Sequence, residues 1–210
     1  MSVQGNLDKA VGQRLLATVG LECWGVFGLN GKEGLIERLP AYCRSARRDP
    51  WFILIDFDRD APCAPTRIEQ LVGTERPDLL ALRIAVRAVE SWLMADKDRF
   101  ATFLGIKRSA IPDLPDEVQA PTEAVVNLAR ESKHRRIREA LVPEPGRRKA
   151  RRGPLYSQCL TSFVLPGTLA SGSDSPRDLW DPEVAAGASP SLRSCLEALR
   201  GLRTRLERGR

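Results

Sequence analysis

Five consecutive apolar residues, Trp51-Phe52-Ile53-Leu54-Ile55, stand between Asp49-Pro50 and Asp56-Phe57-Asp58-Arg59-Asp60. A run this short, apolar at every position and fenced by turn residues, predicts a strand buried on both faces, as in the middle of a parallel sheet. Such a sheet requires crossover connections and helices on its two faces.

The surrounding sequence supplies both. Leu7, Val11, Leu15 and Val19 recur at helical spacing after Asn6, which can cap the helix, and Gly20 stops it. Leu21–Leu29 reads as a strand ending in the turn Asn30-Gly31. Leu35, Ile36, Leu39, Tyr42 and Cys43 mark a second helical face. A third helix is predicted over Thr66–Val72 and a strand over Leu79–Val86. This alternation predicts an α/β fold with about four mostly parallel strands. Downstream the pattern turns helical: Glu90–Leu104, Thr122–Leu141 with a break near Ser132, and Tyr156–Val164. Pro166–Pro176 is Gly/Ser-rich and reads as a mobile loop. Ser189-Pro190 opens the last helix, whose stripe is Leu192, Cys195, Leu196, Leu199, Leu202 and Leu206. The expected division is an α/β core over residues 1–105 and a basic, mainly helical extension over 106–210, packed on that core.

Charge follows the same division. Residues 1–105 carry 14 basic and 14 acidic side chains, and residues 106–210 carry 19 and 13, so the net charge of +6 lies in the second half. Residues 130–152 alone hold ten Lys/Arg against three Glu. Arg135, Arg138, Arg147, Arg148, Arg151 and Arg152 are the candidates for nucleic-acid phosphate, DNA or RNA, since backbone neutralisation needs only clustered cations. The alternative is a solvated face paired locally with Glu131 and Glu139. Few aromatic residues interleave with this cluster, so single-strand stacking is not indicated there. Five scattered cysteines without a CxxC, and a single histidine, argue against a zinc site, a disulfide scaffold and a Ser-His-Asp or Cys-His triad. No apolar run reaches membrane-span length, and the N-terminus has no secretory pattern, so a cytoplasmic protein with reduced thiols is expected.

The chemistry is expected at the end of the apolar strand. Ligands of open parallel sheets bind beyond the carboxyl ends of the strands. Alternate residues of an extended chain point the same way, so Asp56 and Asp58 present neighbouring carboxylates. Close carboxylates call for a cation, and hard oxygen donors suit Mg²⁺ or Mn²⁺. The competing explanation is that these aspartates shape a turn or cap the next helix.

The order of parts resembles a TOPRIM domain. The chain offers Val3-Gln4-Gly5-x-x-Asp8, then helix, strand, helix, and a strand ending in Asp56-Phe57-Asp58. It is similar over most of its length to a bacterial TOPRIM-like family related to OLD-type nucleases and often found beside an ATPase. The shared segments are Arg83-Ile84-Ala85-Val86-Arg87-Ala88-Val89-Glu90-Ser91-Trp92-Leu93-Met94-Ala95-Asp96, Val126-Asn127-Leu128-Ala129-Arg130 and Gly153-Pro154-Leu155-Tyr156. The resemblance implies a metal-dependent nuclease, with an ATPase partner and a role in bacterial defence. It implies metal on Asp56 and Asp58, with Glu90, just after the fourth predicted strand, converging on them. Asp96 either joins that site or caps the helix that resumes at Lys97. TOPRIM proteins carry Glu where this chain has Gln4, which ligates through an amide oxygen but brings no charge and is a poor base. Only Met1–Val3 precede the motif, which implies a shortened strand or a start further upstream. The alternative function is a catalytically weak or inactive TOPRIM-fold module that binds nucleic acid or an ATPase partner. A small-molecule phosphotransferase ranks third, because Gly28-Leu29-Asn30-Gly31-Lys32 is too short for a phosphate-binding loop.

Overall fold

Ser2–Val3 forms a strand of only two residues, β1, yet it has a neighbour on each side: Ser2 pairs with Phe27 and with Ile53. The structure is a computed structural model and describes residues 1–57, 61–144, 146, 150–167 and 178–209. After β1 come α1 (Asn6–Thr18), β2 (Phe27–Gly28), α2 (Gly31–Ser45), β3 (Trp51–Asp56), α3 (Ala64–Val72) and β4 (Leu80–Ala85). Then follow α4 (Val89–Ala95), α5 (Lys97–Leu104), α6 (Pro121–Arg130), α7 (Arg135–Leu141), α8 (Tyr156–Val164), α9 (Pro182–Ala186) and α10 (Pro190–Arg208). The sheet is parallel throughout, in the order β2-β1-β3-β4. The protein is therefore α/β with a mainly helical remainder, as the apolar run and the alternation predict.

The chain forms two compact units, Met1–Val86 with Ser191–Arg210, and Arg87–Pro190. These boundaries differ from the 105/106 division read from the sequence. The strand-helix alternation ends at β4, so α4 and α5 belong to the helical unit, while α10 returns to the sheet unit.

In the sheet unit, alternate residues of β3 and β4 serve opposite faces. Ile53, Ile55, Leu80, Leu82 and Ile84 share a core with Leu35, Leu39 and Tyr42 of α2 and Ile68 of α3. Phe52 points the other way, towards Gly12 of α1. The closing helix α10 is tied in by Arg203, which donates to the Val19 carbonyl at 3.1 Å. β2 is far shorter than the predicted Leu21–Leu29 strand. It pairs with β1 on one side only, and Gly28 (φ 94°) and Leu29 (φ 67°) turn it into the left-handed region at once. A Cβ at position 28 would lie 2.6 Å from the Val3 carbonyl oxygen, so glycine is required there. The cap of α1 is Gly5, one residue before Asn6.

The helical unit is built around α4, whose seven residues are all buried. Trp92, Trp180, Tyr156, Phe100 and Phe163 are its largest enclosed side chains, and the Phe163 ring lies 5.4 Å from Phe100 and 4.9 Å from Phe103. The predicted helix Glu90–Leu104 is broken at Asp96 (φ −86°, ψ 70°). The predicted break at Ser132 is present: its hydroxyl donates to the Leu104 carbonyl and accepts from the His134 amide. Helix α9 had no periodic signal because it is one turn long; Asp181 caps it by accepting from the Glu183 and Val184 amides, with Pro182 at the first position. α10 starts at Pro190, as the Ser189-Pro190 signal predicts. Most of the Gly/Ser-rich stretch Pro166–Pro176 lies outside the described residues. All five cysteines are free, two buried, two half-buried and Cys63 exposed. Among the described residues no helix is long and apolar enough to cross a membrane.

Candidate functional site

From β1 the chain crosses to β2 on one side, then back over to β3 on the other. The order reverses between β1 and β3, and such a switch point opens a crevice at the carboxyl ends of its two strands. The last register pair of those strands is Val3 with Leu54. One and two residues further on lie Gln4 and Gly5 from β1, and Ile55 and Asp56 from β3. Helix α1 starts there with Gly5 as its cap, and its first turn carries the buried Asp8. A Cβ at position 5 would come within 3.1 Å of the Asp8 carboxylate, so that carboxylate folds back towards the strand end.

Gln4 is held by its backbone. Its carbonyl accepts the Gly31 amide at 3.2 Å, and the Val3 carbonyl accepts Leu29 at 3.0 Å, so the loop after β2 closes over this strand end. The Gln4 side-chain Nε2 is buried and has no hydrogen-bond partner among the described residues. The structure thus brings Gln4, Asp8 and Asp56 to one edge. Asp8 was quoted in the sequence pattern but not singled out; its place in the first turn after β1 was the available signal. Asp58 lies outside the described residues. Among the described residues no group of three or more His, Cys, Asp or Glu side chains is placed to hold a metal ion. The donors at this edge are oxygens, two carboxylates and an amide, which in kind suit a hard divalent cation.

Glu90 belongs to the helical unit. It is 5% exposed, and its Oε1 accepts hydrogen bonds from the Tyr156 hydroxyl and the Thr122 hydroxyl, each at 3.1 Å. A buried carboxylate needs such donors. Tyr156 arrives by way of Gly153, whose amide donates to the Leu141 carbonyl at 2.9 Å; a Cβ there would sit 2.3 Å from the Ala140 carbonyl oxygen. The Gly153-Pro154-Leu155-Tyr156 segment thus packs on the end of α7 and delivers a phenol to Glu90. Burial, then the Glu90 charge, push the Tyr156 phenol far above its ordinary value, so it stays a donor. Arg152 covers the same ring, with its guanidinium 5.6 Å from the centroid. Thr122 and Tyr156 were not assigned by sequence reasoning, because nothing in a linear pattern pairs them with Glu90.

Asp96 stands at the N-cap position of α5, as the capping alternative had it, and does not face solvent. It is fully buried, accepts the Asp181 amide at 2.9 Å and pairs with Arg99 at 3.2 Å. Burial raises its carboxyl above the usual range, against the lowering by the Asp181 amide and Arg99.

Of the six arginines named for phosphate, Arg147 and Arg148 lie outside the described residues. Arg135 is paired with Glu139 at 2.7 Å, as the local-pairing alternative had it. Arg138 donates to the Ser132 carbonyl. Arg152 lies on the Tyr156 ring, and Arg151 is exposed.

Comparison of the chain with protein-family models, with curated proteins and with solved structures returns no match.

Proposed function

We propose that the carboxyl edge of the sheet is the site of a metal-dependent phosphodiesterase of TOPRIM type that acts on nucleic acid. The observation that supports it is the convergence of Gln4, Asp8 and Asp56 at the β1/β3 switch point. Asp8 and Asp56, with the amide oxygen of Gln4 and the neighbouring Asp58, would hold Mg²⁺ or Mn²⁺. When bound, such an ion supplies positive charge for a phosphate and lowers the pKa of water. The NH₂ of Gln4, buried and without a partner among the described residues, would donate to a phosphate oxygen. The ATPase partner and the role in defence belong to the same proposal and rest on the resemblance alone; the cytoplasmic location is proposed from the free cysteines and from the absence of a membrane-length apolar run or a secretory pattern in the sequence.

A second function, a module that binds nucleic acid or an ATPase partner without cutting, is favoured by Gln4 itself. A neutral amide takes up no proton, and losing a general base costs about 10²–10⁴ in rate. Calorimetric titration of Mn²⁺ into wild type, Asp56→Ala and Gln4→Glu, beside cleavage assays on DNA and RNA, separates the two. The phosphodiesterase reading expects weak Mn²⁺ binding that Asp56→Ala abolishes, and cleavage that Gln4→Glu creates or raises. Unchanged Mn²⁺ binding in Asp56→Ala overturns the site. Tight binding with no cleavage by either protein, with or without an ATPase, leaves the module.

A further inference from the structure

At the opposite, amino edge of the sheet two cavities open side by side. One, of about 970 Å³, is lined by Trp24, Phe27 and Trp51 together with Arg48 and Arg205. The other, of about 730 Å³, is lined by Arg47, Arg76, Arg205 and Arg208. They share Leu79, Arg205 and Gly209. All these residues belong to the sheet unit.

The aromatic side is unusual for a surface. Trp24 is 93% exposed and Phe27 is 51% exposed. Trp51 is stacked on Tyr42 with centroids 4.5 Å apart and meets Phe27 at 5.3 Å, so a fixed aromatic wall stands beside a free indole.

The cationic side is unusual for its lack of pairing. Arg76 donates to the Gly73 carbonyl, and neither it nor Arg205 has a carboxylate partner among the described residues. Glu22 and Asp49 also line the first cavity, and Glu75 and Asp78 the second. Arg83, within β4, has a buried Nε without a partner and lines neither cavity. Burial holds the Arg83 guanidinium below its ordinary value, Cys195 acts against that, and the charges of Arg76 and Arg205 lower it. Arg76 and Arg205 line one cavity with Arg47 and Arg208, four guanidiniums against the carboxylates of Glu75 and Asp78, so a net positive charge is left there for an anion.

We propose that this edge binds a nucleoside phosphate, with its base on the Trp24–Phe27–Trp51 wall and its phosphate on Arg76 and Arg205. Stacking tolerates any base, and paired guanidiniums match phosphate geometry. The site is distinct from the carboxyl edge and does not depend on the phosphodiesterase reading. Its ligand is a free nucleotide or a unit of a single strand.

The test is titration of AMP, of a short single-stranded oligothymidylate and of inorganic phosphate into the full-length chain, followed by tryptophan emission. Saturable quenching by AMP assigns a free nucleotide, and quenching by the oligonucleotide alone assigns a strand. Trp24→Ala, at a side chain 93% exposed, should weaken AMP binding by about tenfold or more when read by calorimetry, since the substitution also removes the fluorophore. Arg76→Ala combined with Arg205→Ala should weaken binding by about tenfold or more. Arg205→Ala alone, with its circular dichroism spectrum checked, serves if the double variant does not fold. The proposal is overturned if these variants bind like wild type, or if phosphate competes as well as AMP. It is also overturned if no ligand quenches and Trp24→Ala instead converts a self-associated chain to monomer, which would give the edge to a second copy.

Discussion

Tyr156 donates its phenolic hydrogen to the Glu90 carboxylate at 3.1 Å across sixty-six residues of chain. The two residues come from segments far apart in the sequence, and tertiary packing alone brings them together. A carboxylate on a helix buried all round needs donors brought from elsewhere, and Gly153 is what lets the phenol reach it. Removing the hydroxyl with Tyr156→Phe leaves Thr122 as the sole hydroxyl on Oε1. We expect a loss of about 1.5–3 kcal/mol, as for hydrogen bonds to charged groups. Urea unfolding measures it, and a loss below about 0.5 kcal/mol would mean that the bond is replaced by water.

Alkaline conditions should unfold the chain through the same buried protons. Burial pushes the Cys159 thiol up to about 11 and the Cys195 thiol up to about 12, and Tyr156 higher still. Each group keeps its proton in the folded chain after losing it in the unfolded one. Their contribution to stability is therefore complete below about pH 9 and drains away as pH rises towards the folded values. Each thiol contributes a slope of up to about 1.4 kcal/mol per pH unit in that window. Cys195→Ala should flatten the fall of the urea midpoint between about pH 9 and 12; an unchanged profile would show that this thiol ionises in place.

Asp96 should act in the opposite range with the same sign. Its carboxyl is raised by burial, so the folded chain holds that proton more tightly than the unfolded one. The associated stability is present at acid pH and is lost as pH climbs through the raised value. Asp96→Asn, which can still accept the Asp181 amide, should narrow the stability difference between about pH 4 and 7. Asp96→Ala should cost about 1–3 kcal/mol at either pH by orphaning that amide. Equal stability of the alanine variant and wild type would sink this assignment.

Residues 130–152 should give nucleic-acid binding that weakens steeply with salt, by about 0.9 log units per neutralised phosphate per decade on duplex DNA. Replacing Arg147, Arg148, Arg151 and Arg152 with serine should flatten that slope. Arg135 and Arg138 are already engaged by Glu139 and the Ser132 carbonyl, so their single replacements should change the slope less. If the quadruple variant keeps both affinity and slope, the cluster is a solvated face.

The sheet was legible where periodicity is strong. The apolar run at Trp51–Ile55 announced a central parallel strand, and α10 was readable from its leucine stripe. β2 was not, because an apolar stretch such as Leu21–Leu29 carries no mark of how many of its residues find a neighbour. Here Gly28 and Leu29 end the pairing after two. Asp56 could be placed at a strand end from sequence. That Asp8 joins it needed the turn of α1 at Gly5, and that Thr122 and Tyr156 meet Glu90 needed tertiary packing. The unpaired arginines at the amino edge, Arg76 and Arg205, come from the stretch before β4 and from the last helix, too far apart in sequence to register as a charge cluster.

The chain leaves the sheet unit at Val86 and re-enters it at Ser191, and these two residues touch: the Val86 amide donates to the Ser191 hydroxyl at 3.4 Å. Everything from Arg87 to Pro190 is therefore an insertion whose two ends meet at one point of its host. In chain order, the whole helical unit stands where a single connection would join the last strand to the last helix of the sheet unit. Its length, content and even its presence could change over evolution without altering the order of one strand or the partner of one sheet hydrogen bond.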